Sequence, residues 1–89
     1  VPNEIHPYDD FWTHYWQVTS RARSQIEALL KILEVNPYDP DLQRKCLIHG
    51  ERFEYELDGG YSIIWSVHQV RYSILAPKME VLLLAIPPL

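Results

Sequence analysis

Arg52-Phe53-Glu54-Tyr55-Glu56-Leu57-Asp58-Gly59-Gly60-Tyr61-Ser62-Ile63-Ile64-Trp65-Ser66-Val67 decides the fold. Phe53, Tyr55 and Leu57 alternate with Arg52, Glu54 and Glu56, the period of two of a half-buried strand. Past Asp58-Gly59-Gly60 the alternation resumes, with Tyr61, Ile63, Trp65 and Val67 set against Ser62, Ile64 and Ser66. Two such runs around a glycine-rich break predict a β-hairpin. Loop length then decides which side chains meet. A loop of three residues, 58–60, pairs Leu57 with Tyr61, Tyr55 with Ile63 and Phe53 with Trp65 on one face. Glu56/Ser62, Glu54/Ile64 and Arg52/Ser66 then share the other. A loop one residue shorter would set apolar against polar throughout, so burial selects the odd loop.

Towards the N-terminus the period changes to that of helices. Asp9 or Asp10 is placed to cap a short helix carrying Phe11, Tyr15 and Trp16 on one face and ending near Val18. Thr19 and Ser20 offer a second cap. Ala22, Ile26, Leu29, Leu30 and Leu33 follow as an apolar stripe, with Arg21, Arg23, Gln25, Glu27, Lys31 and Glu34 on the wet side. Asn36-Pro37 ends this second helix, since the residue before proline is pushed out of the α region. So short a joint predicts an antiparallel helical hairpin. Pro37-Tyr38-Asp39-Pro40-Asp41 reads as a turn-rich connector, and 42–50 shows no clear period.

Towards the C-terminus, 70–75 reads as a further short strand or as one arm of a longer hairpin turning at Ala76-Pro77-Lys78. Val81 to Ile86 is apolar on both faces, the mark of an interior strand, and Pro87-Pro88 ends it. Such a chain is α+β: a two-helix hairpin packed on one face of a bent antiparallel sheet of three to four strands.

Composition bounds the function. The chain has 89 residues, enough for one domain spanning 1–89, and is 47% hydrophobic and 22% charged. Eight Lys and Arg against twelve Asp and Glu leave a formal charge of −4, which argues against general, sequence-independent affinity for DNA. A single cysteine, Cys46, allows no intrachain disulfide and no cysteine-rich metal site; its default is a small buried residue. His6, His14, His49 and His68 lack ligand spacing, and Gly59-Gly60 precedes no helix as a phosphate loop requires. No metal and no cofactor is expected. The run from Val81 to Ile86 is far short of the roughly 20 residues of a membrane helix, and Val1-Pro2-Asn3-Glu4 does not open a signal peptide. A cytoplasmic chain without membrane contact is expected.

Specific words accompany this order of elements. They are Ile5-His6-Pro7-Tyr8-Asp9-Asp10-Phe11, Ile32-Leu33-Glu34-Val35-Asn36-Pro37, Asp41-Leu42, Leu47-Ile48-His49-Gly50 and Gly60-Tyr61-Ser62-Ile63-Ile64-Trp65-Ser66-Val67. Together they resemble the RelE/ParE toxin superfamily of bacterial toxin–antitoxin modules over nearly the whole chain. The resemblance implies an antitoxin whose C-terminal segment wraps the toxin. It also implies one of two targets: mRNA cut on the ribosome, as by RelE-like members, or DNA gyrase, inhibited by ParE-like members. The family's strand motif Gly-x-Tyr-Arg-Ile has Ser62 at its arginine here. The His- and Tyr-bearing tail is replaced by Ile86-Pro87-Pro88-Leu89.

Metal-free RNA cleavage needs a base for the 2′-hydroxyl, cations for the phosphate and an acid for the leaving oxygen. Under the endonuclease reading those roles fall to Arg52, to Glu54 or Glu56, and to His68 or Arg71. Glutamates on the same face oppose a phosphate by roughly 1–3 kcal/mol at about 6 Å. Arg44, Lys45 and His49, with Arg52, form a local positive cluster, read either as a nucleic-acid contact or as an ordinary solvated loop. Ser62 and Ser66 beside His68 do not make a hydrolase signature. The aromatic residues belong mostly to the core, except Trp12, which lies off the Phe11/Tyr15 line. Leu82, Leu84 and Ile86, joined by Ile64, form an apolar face that one helical hairpin cannot cover. A partner segment, a second copy or another part of the chain must cover it. The expected partner is an antitoxin; a non-catalytic oligomer or gyrase-directed module is the remaining alternative.

Overall fold

Loop parity settles the central hairpin. A computed structural model describes residues 4–70 and 79–87, with side chains at 5–68 and 85–87. In it Arg52–Glu56 (β3) pairs antiparallel with Ser62–Val70 (β4). The register is Phe53 to Trp65, Tyr55 to Ile63, and Glu54 to Ile64, as the loop of three residues requires. Leu57 N donates to Tyr61 O at 2.7 Å, closing the three-residue turn Asp58–Gly60. Gly59 has φ +85°, a conformation that favours glycine, and a Cβ there would make a tight 3.3 Å contact with the Tyr61 ring.

The remaining elements are Glu4–Pro7 (β1), Phe11–Gln17 (α1), Ser20–Val35 (α2), Pro40–Lys45 (α3), Leu47–His49 (β2) and Met79–Ala85 (β5). The strands form one sheet in the order β1-β5-β4-β3-β2. Four of them, β2 to β5, make the expected antiparallel sheet; the fifth, β1, runs parallel to β5 at its edge. β1 is four residues ending in proline, too short for any alternation to show.

The helices begin and end for local reasons. Thr19 caps α2, its side chain accepting from Ala22 N at 3.1 Å, and Asn36 terminates it before Pro37. Asp10 occupies the N-cap position of α1 but makes no side-chain cap hydrogen bond, contrary to expectation. Its backbone is already in the αR region, whereas a capping side chain needs extended backbone to reach back. The proline-rich connector and the patternless segment after it resolve into α3 and β2. Asp39 Oδ1 accepts from Asp41 N and Leu42 N, both at 3.1 Å, with Pro40 at the first helical position.

All helices lie on one face. Phe11, Tyr15 and Val18, then Ala22, Ile26, Leu29 and Leu33, bury against Leu57, Ile63, Trp65 and Ile86. Side-chain contacts run in antiparallel order across the hairpin: Tyr15 Oη donates to Glu27 Oε1 at 2.8 Å, and Arg23 stacks on Trp16 at 5.5 Å. The His14 ring Nδ1 lies 2.6 Å from Ile86 O and donates to it, pinning α1 to the end of β5. Gln25 Oε1 accepts from Asp58 N at 2.7 Å, pinning α2 to the turn. Trp16 does not join Phe11 and Tyr15 in the core. It is 69% exposed, because the arc that buries positions 11 and 15 cannot also reach position 16 of so short a helix. Thr19→Ala is expected to lower unfolding free energy by about 1 kcal/mol in denaturant titration, while Asp10→Ala shifts it by less than about 0.5 kcal/mol.

Candidate functional site

The pleat that sends Phe53, Tyr55, Ile63 and Trp65 under the helices sends their neighbours to the open face. There Arg52 is directly opposite Ser66, Glu54 opposite Ile64, and Glu56 opposite Ser62. A cavity of about 220 Å³ opens at one end of this face, lined by Tyr8, Arg52, Ile64, Trp65, Ser66, Ala85 and Pro87. Ile64 and Ala85, a cross-strand pair, supply its apolar floor. The Ser66 hydroxyl lies 3.1 Å from His68 Nε2. Arg52, Ser66 and His68 therefore form a polar line across two strands, beside the exposed Tyr8 ring. Among the described residues Arg52 makes no ion pair with a carboxylate. This arrangement can bind a phosphate or carboxylate with an aromatic or apolar group beside it.

The carboxylates lie further along the same face. Glu54 Oε1 is 3.3 Å from His49 Nε2, and Glu54, Glu56 and Ser62 line a shallow depression next to Gly60 and Tyr61. Of the residues expected to act together, Arg52 lines the cavity, His68 reaches it only through Ser66, and Glu54 lies beside His49. Arg71 lies outside the described residues.

Arg44, Lys45 and His49 go to three different surroundings. Arg44 pairs with Asp41 one turn back on α3. Lys45 lines a second cavity of about 200 Å³ on the helical side, with Ala28, Leu29, Ile32 and Tyr55. His49 meets Glu54. The division follows from α3 and β2, which place neighbours in sequence on different faces. Among the described residues, no group of three or more His, Cys, Asp or Glu side chains is arranged to hold a metal ion.

The expected apolar face needs correction. Ile64 pairs with Ala85, so it lies on the face opposite Ile86, the next residue along. Ile86 is 2% exposed and belongs to the core under the helices, not to a partner surface. The side chains of Leu82 and Leu84 lie outside the described residues; their backbones pair with Val67 and Trp65. Trp12 is 51% exposed, as expected of its position off the buried line. Tyr8, Ser66 and Pro87 were not singled out from sequence as cavity residues. For Ser66 the signal was present, since the hairpin register already placed it opposite Arg52.

No helix among the described residues is long and apolar enough to cross a membrane. Comparison of the chain with protein-family models, curated protein sequences and solved structures finds no match.

Two groups beside these surfaces titrate abnormally. Burial pushes the Cys46 thiol up, and burial followed by the Glu27 carboxylate pushes the Tyr15 phenol up. Both groups hold their protons more tightly folded than unfolded. The stability they contribute is full below the ordinary thiol and phenol values and is lost as pH rises through the folded ones. Iodoacetamide is expected to alkylate Cys46 several-fold more slowly in the folded chain than in urea at pH 8, because the thiolate reacts. Mass spectrometry of timed samples measures it. Denaturant midpoints should fall with pH above the ordinary thiol range.

Proposed function

We propose that the chain is a toxin-like component of a RelE/ParE-type toxin–antitoxin module and binds its antitoxin as a peptide laid along α1 and the sheet. The observation that carries the binding is the pair Trp12 and Trp16, 51% and 69% exposed, one helical turn apart on a seven-residue helix. Two solvated indoles side by side on so small a chain are an apolar surface in want of a cover, and Trp and Arg dominate the binding energy of protein interfaces. Both rings are held before any partner arrives. Trp12 meets Phe11 and Tyr15 edge-on at 5.0 and 5.4 Å, and Trp16 meets Tyr15 at 5.1 Å with the Arg23 guanidinium across its face. Binding therefore orders little, and the area covered converts to affinity efficiently.

The words of sequence that resemble the family, and the helical hairpin on an antiparallel sheet, support the toxin identity. Ile64 and the open sheet face beyond it extend the surface that a wrapping segment would cover.

A second reading, ribosome-dependent mRNA cleavage, is favoured by Arg52, unpaired with any carboxylate among the described residues, in line with Ser66 and His68. In it Arg52 neutralises the scissile phosphate and His68 exchanges a proton with the 2′-hydroxyl or the leaving oxygen. A carboxylate base would have to come from Glu54 after release from His49. Without cleavage, the same fold acts as a gyrase-directed binder.

Induced expression is expected to arrest growth, and co-expression of a short reading frame adjoining the gene is expected to relieve it. The two products should co-purify. Trp16→Ala and Trp12→Ala should each weaken that complex about tenfold or more, with circular dichroism unchanged. Full-strength binding by both variants would remove the proposed surface. For the second reading, primer extension on ribosome-bound mRNA should show cuts with the wild type and none with Arg52→Ala; intact message in the wild type assigns the target elsewhere.

A further inference from the structure

The cavity on the open sheet face has walls of two kinds. Ile64 and Ala85, a cross-strand pair, form an apolar floor, which Tyr8 just past β1 and Pro87 just past β5 extend. On the remaining side stand Arg52 and Ser66, directly opposite each other on β3 and β4. Arg52 is exposed, and among the described residues it makes no ion pair with a carboxylate. At about 220 Å³ the cavity is smaller than the about 300–1,000 Å³ that hold drug-sized ligands. It has room for one ring or a short branched chain whose polar end reaches Arg52.

We propose that this cavity binds a small apolar carboxylic acid as its anion, an aryl or branched alkyl carboxylate. The hydrocarbon part lies over Ile64 and Ala85, and the carboxylate meets Arg52 and Ser66. Charge selects a carboxylate over a phosphate monoester. Arg52 is the one permanently charged cation among the described residues that line the cavity, and it balances a single negative charge. A phosphate monoester carries about −1.5 to −2 at pH 7, and the surplus would stand unmatched on a face that also bears Glu54 and Glu56. Shape selects the same group, since the planar guanidinium donates two parallel hydrogen bonds to a planar carboxylate.

The neighbouring side chains fit this assignment. Glu54 does not line the cavity; its carboxylate lies 3.3 Å from His49 Nε2, on the side of β2. Ser66 Oγ is 3.1 Å from His68 Nε2. With the proton on Nε2, His68 donates to that oxygen, which leaves the serine hydroxyl to donate to the ligand. His68 is then a positioning residue. The inference does not rest on the toxin reading, because Trp12 and Trp16, which carry that reading, do not line the cavity.

Benzoate titrated into the intact, isotope-labelled chain at pH 7 and followed by NMR is expected to shift the amides of Ile64, Ser66 and Ala85. The shifts should saturate with a dissociation constant of about 1 mM or below, the range open to a ligand of fewer than about ten heavy atoms. Arg52→Gln, at an exposed position, should weaken binding at least about tenfold with the rest of the spectrum unchanged. Arg52→Lys should recover only part of the loss, since an ammonium keeps the charge without the fork. Benzamide, neutral and of the same shape, and acetate, a carboxylate without the ring, should each bind at least about tenfold more weakly than benzoate. Phenyl phosphate should bind no more tightly than benzoate. Shifts that do not saturate or that lie away from the cavity, or benzamide or Arg52→Gln matching benzoate on the wild type, would overturn the site. Tighter binding of phenyl phosphate would overturn the choice of carboxylate.

Discussion

Phe53 stacks on Trp65 across β3 and β4 with ring centroids 5.7 Å apart and planes 18° from parallel, and the arrangement of both sheet faces follows from that pair. The stack requires the two residues to be directly opposite, which fixes the hairpin register and hence which residues point to the helices and which to water. A slip of one residue would drive Glu54 and Ser66 into the helical core and expose Trp65. The fold is therefore held less by any one contact than by the cost of every alternative register. Trp65 carries a cost of its own: its Nε1 is buried without a hydrogen-bond partner, worth about 1–3 kcal/mol. Full burial of so large a ring, against Phe11, Ile26 and Leu33 in one cluster, offsets it.

With the register set, helix attachment does the rest. α1 is tied by His14 to the carbonyl of Ile86 and α2 by Gln25 to the amide of Asp58, so both helices are fixed to the sheet near the end that carries the 58–60 turn. Each bond satisfies a backbone group where regular pairing stops. They also orient the surfaces that matter. Fixing α1 against the end of β5 leaves Trp12 and Trp16 facing solvent and brings Tyr8, in the link from β1, beside Arg52 and Ser66. The aromatic ridge and the cavity are consequences of one docking geometry.

What the chain reveals in advance depends on element length and on how its connections constrain register. The β3–β4 hairpin was legible because alternation over both arms and an odd loop admit one solution. α2 was legible because four turns of stripe accumulate signal that no single residue carries. α3 and β2 are six and three residues, too short for any period, and only the Asp39-Pro40 start was visible. α1 contains two overlapping aromatic pairs a turn apart, Phe11/Tyr15 and Trp12/Trp16. Composition does not say which pair a core will take; sheet geometry does. The partner face was misjudged for a related reason. Eight residues separate β4 from β5, so the sequence alone leaves the parity of β5 open; grouping Ile64 with Ile86 fails because the register sets Ile64 opposite Ala85.

Charge on the open face is arranged along the strands rather than across them. Glu56 and Glu54 come before Arg52 on passing from the turn towards the cavity, with Ser62, Ile64 and Ser66 alongside. Alternate residues of a strand are about 7 Å apart, where unit charges interact by about 2 kcal/mol at an effective dielectric of 20. An anion at the Arg52 end is attracted, and one moved towards Glu56 is repelled. Serine at position 62 sharpens this polarity, since an arginine there would sit opposite Glu56 and cancel it. The His49–Glu54 contact has the same effect at mid-strand: it draws one carboxylate towards β2 and away from Arg52. The face therefore directs an extended anionic ligand to one end only. Polymer binding along both strands would need cations at both ends, and among the described residues the Glu56 end supplies none on that face.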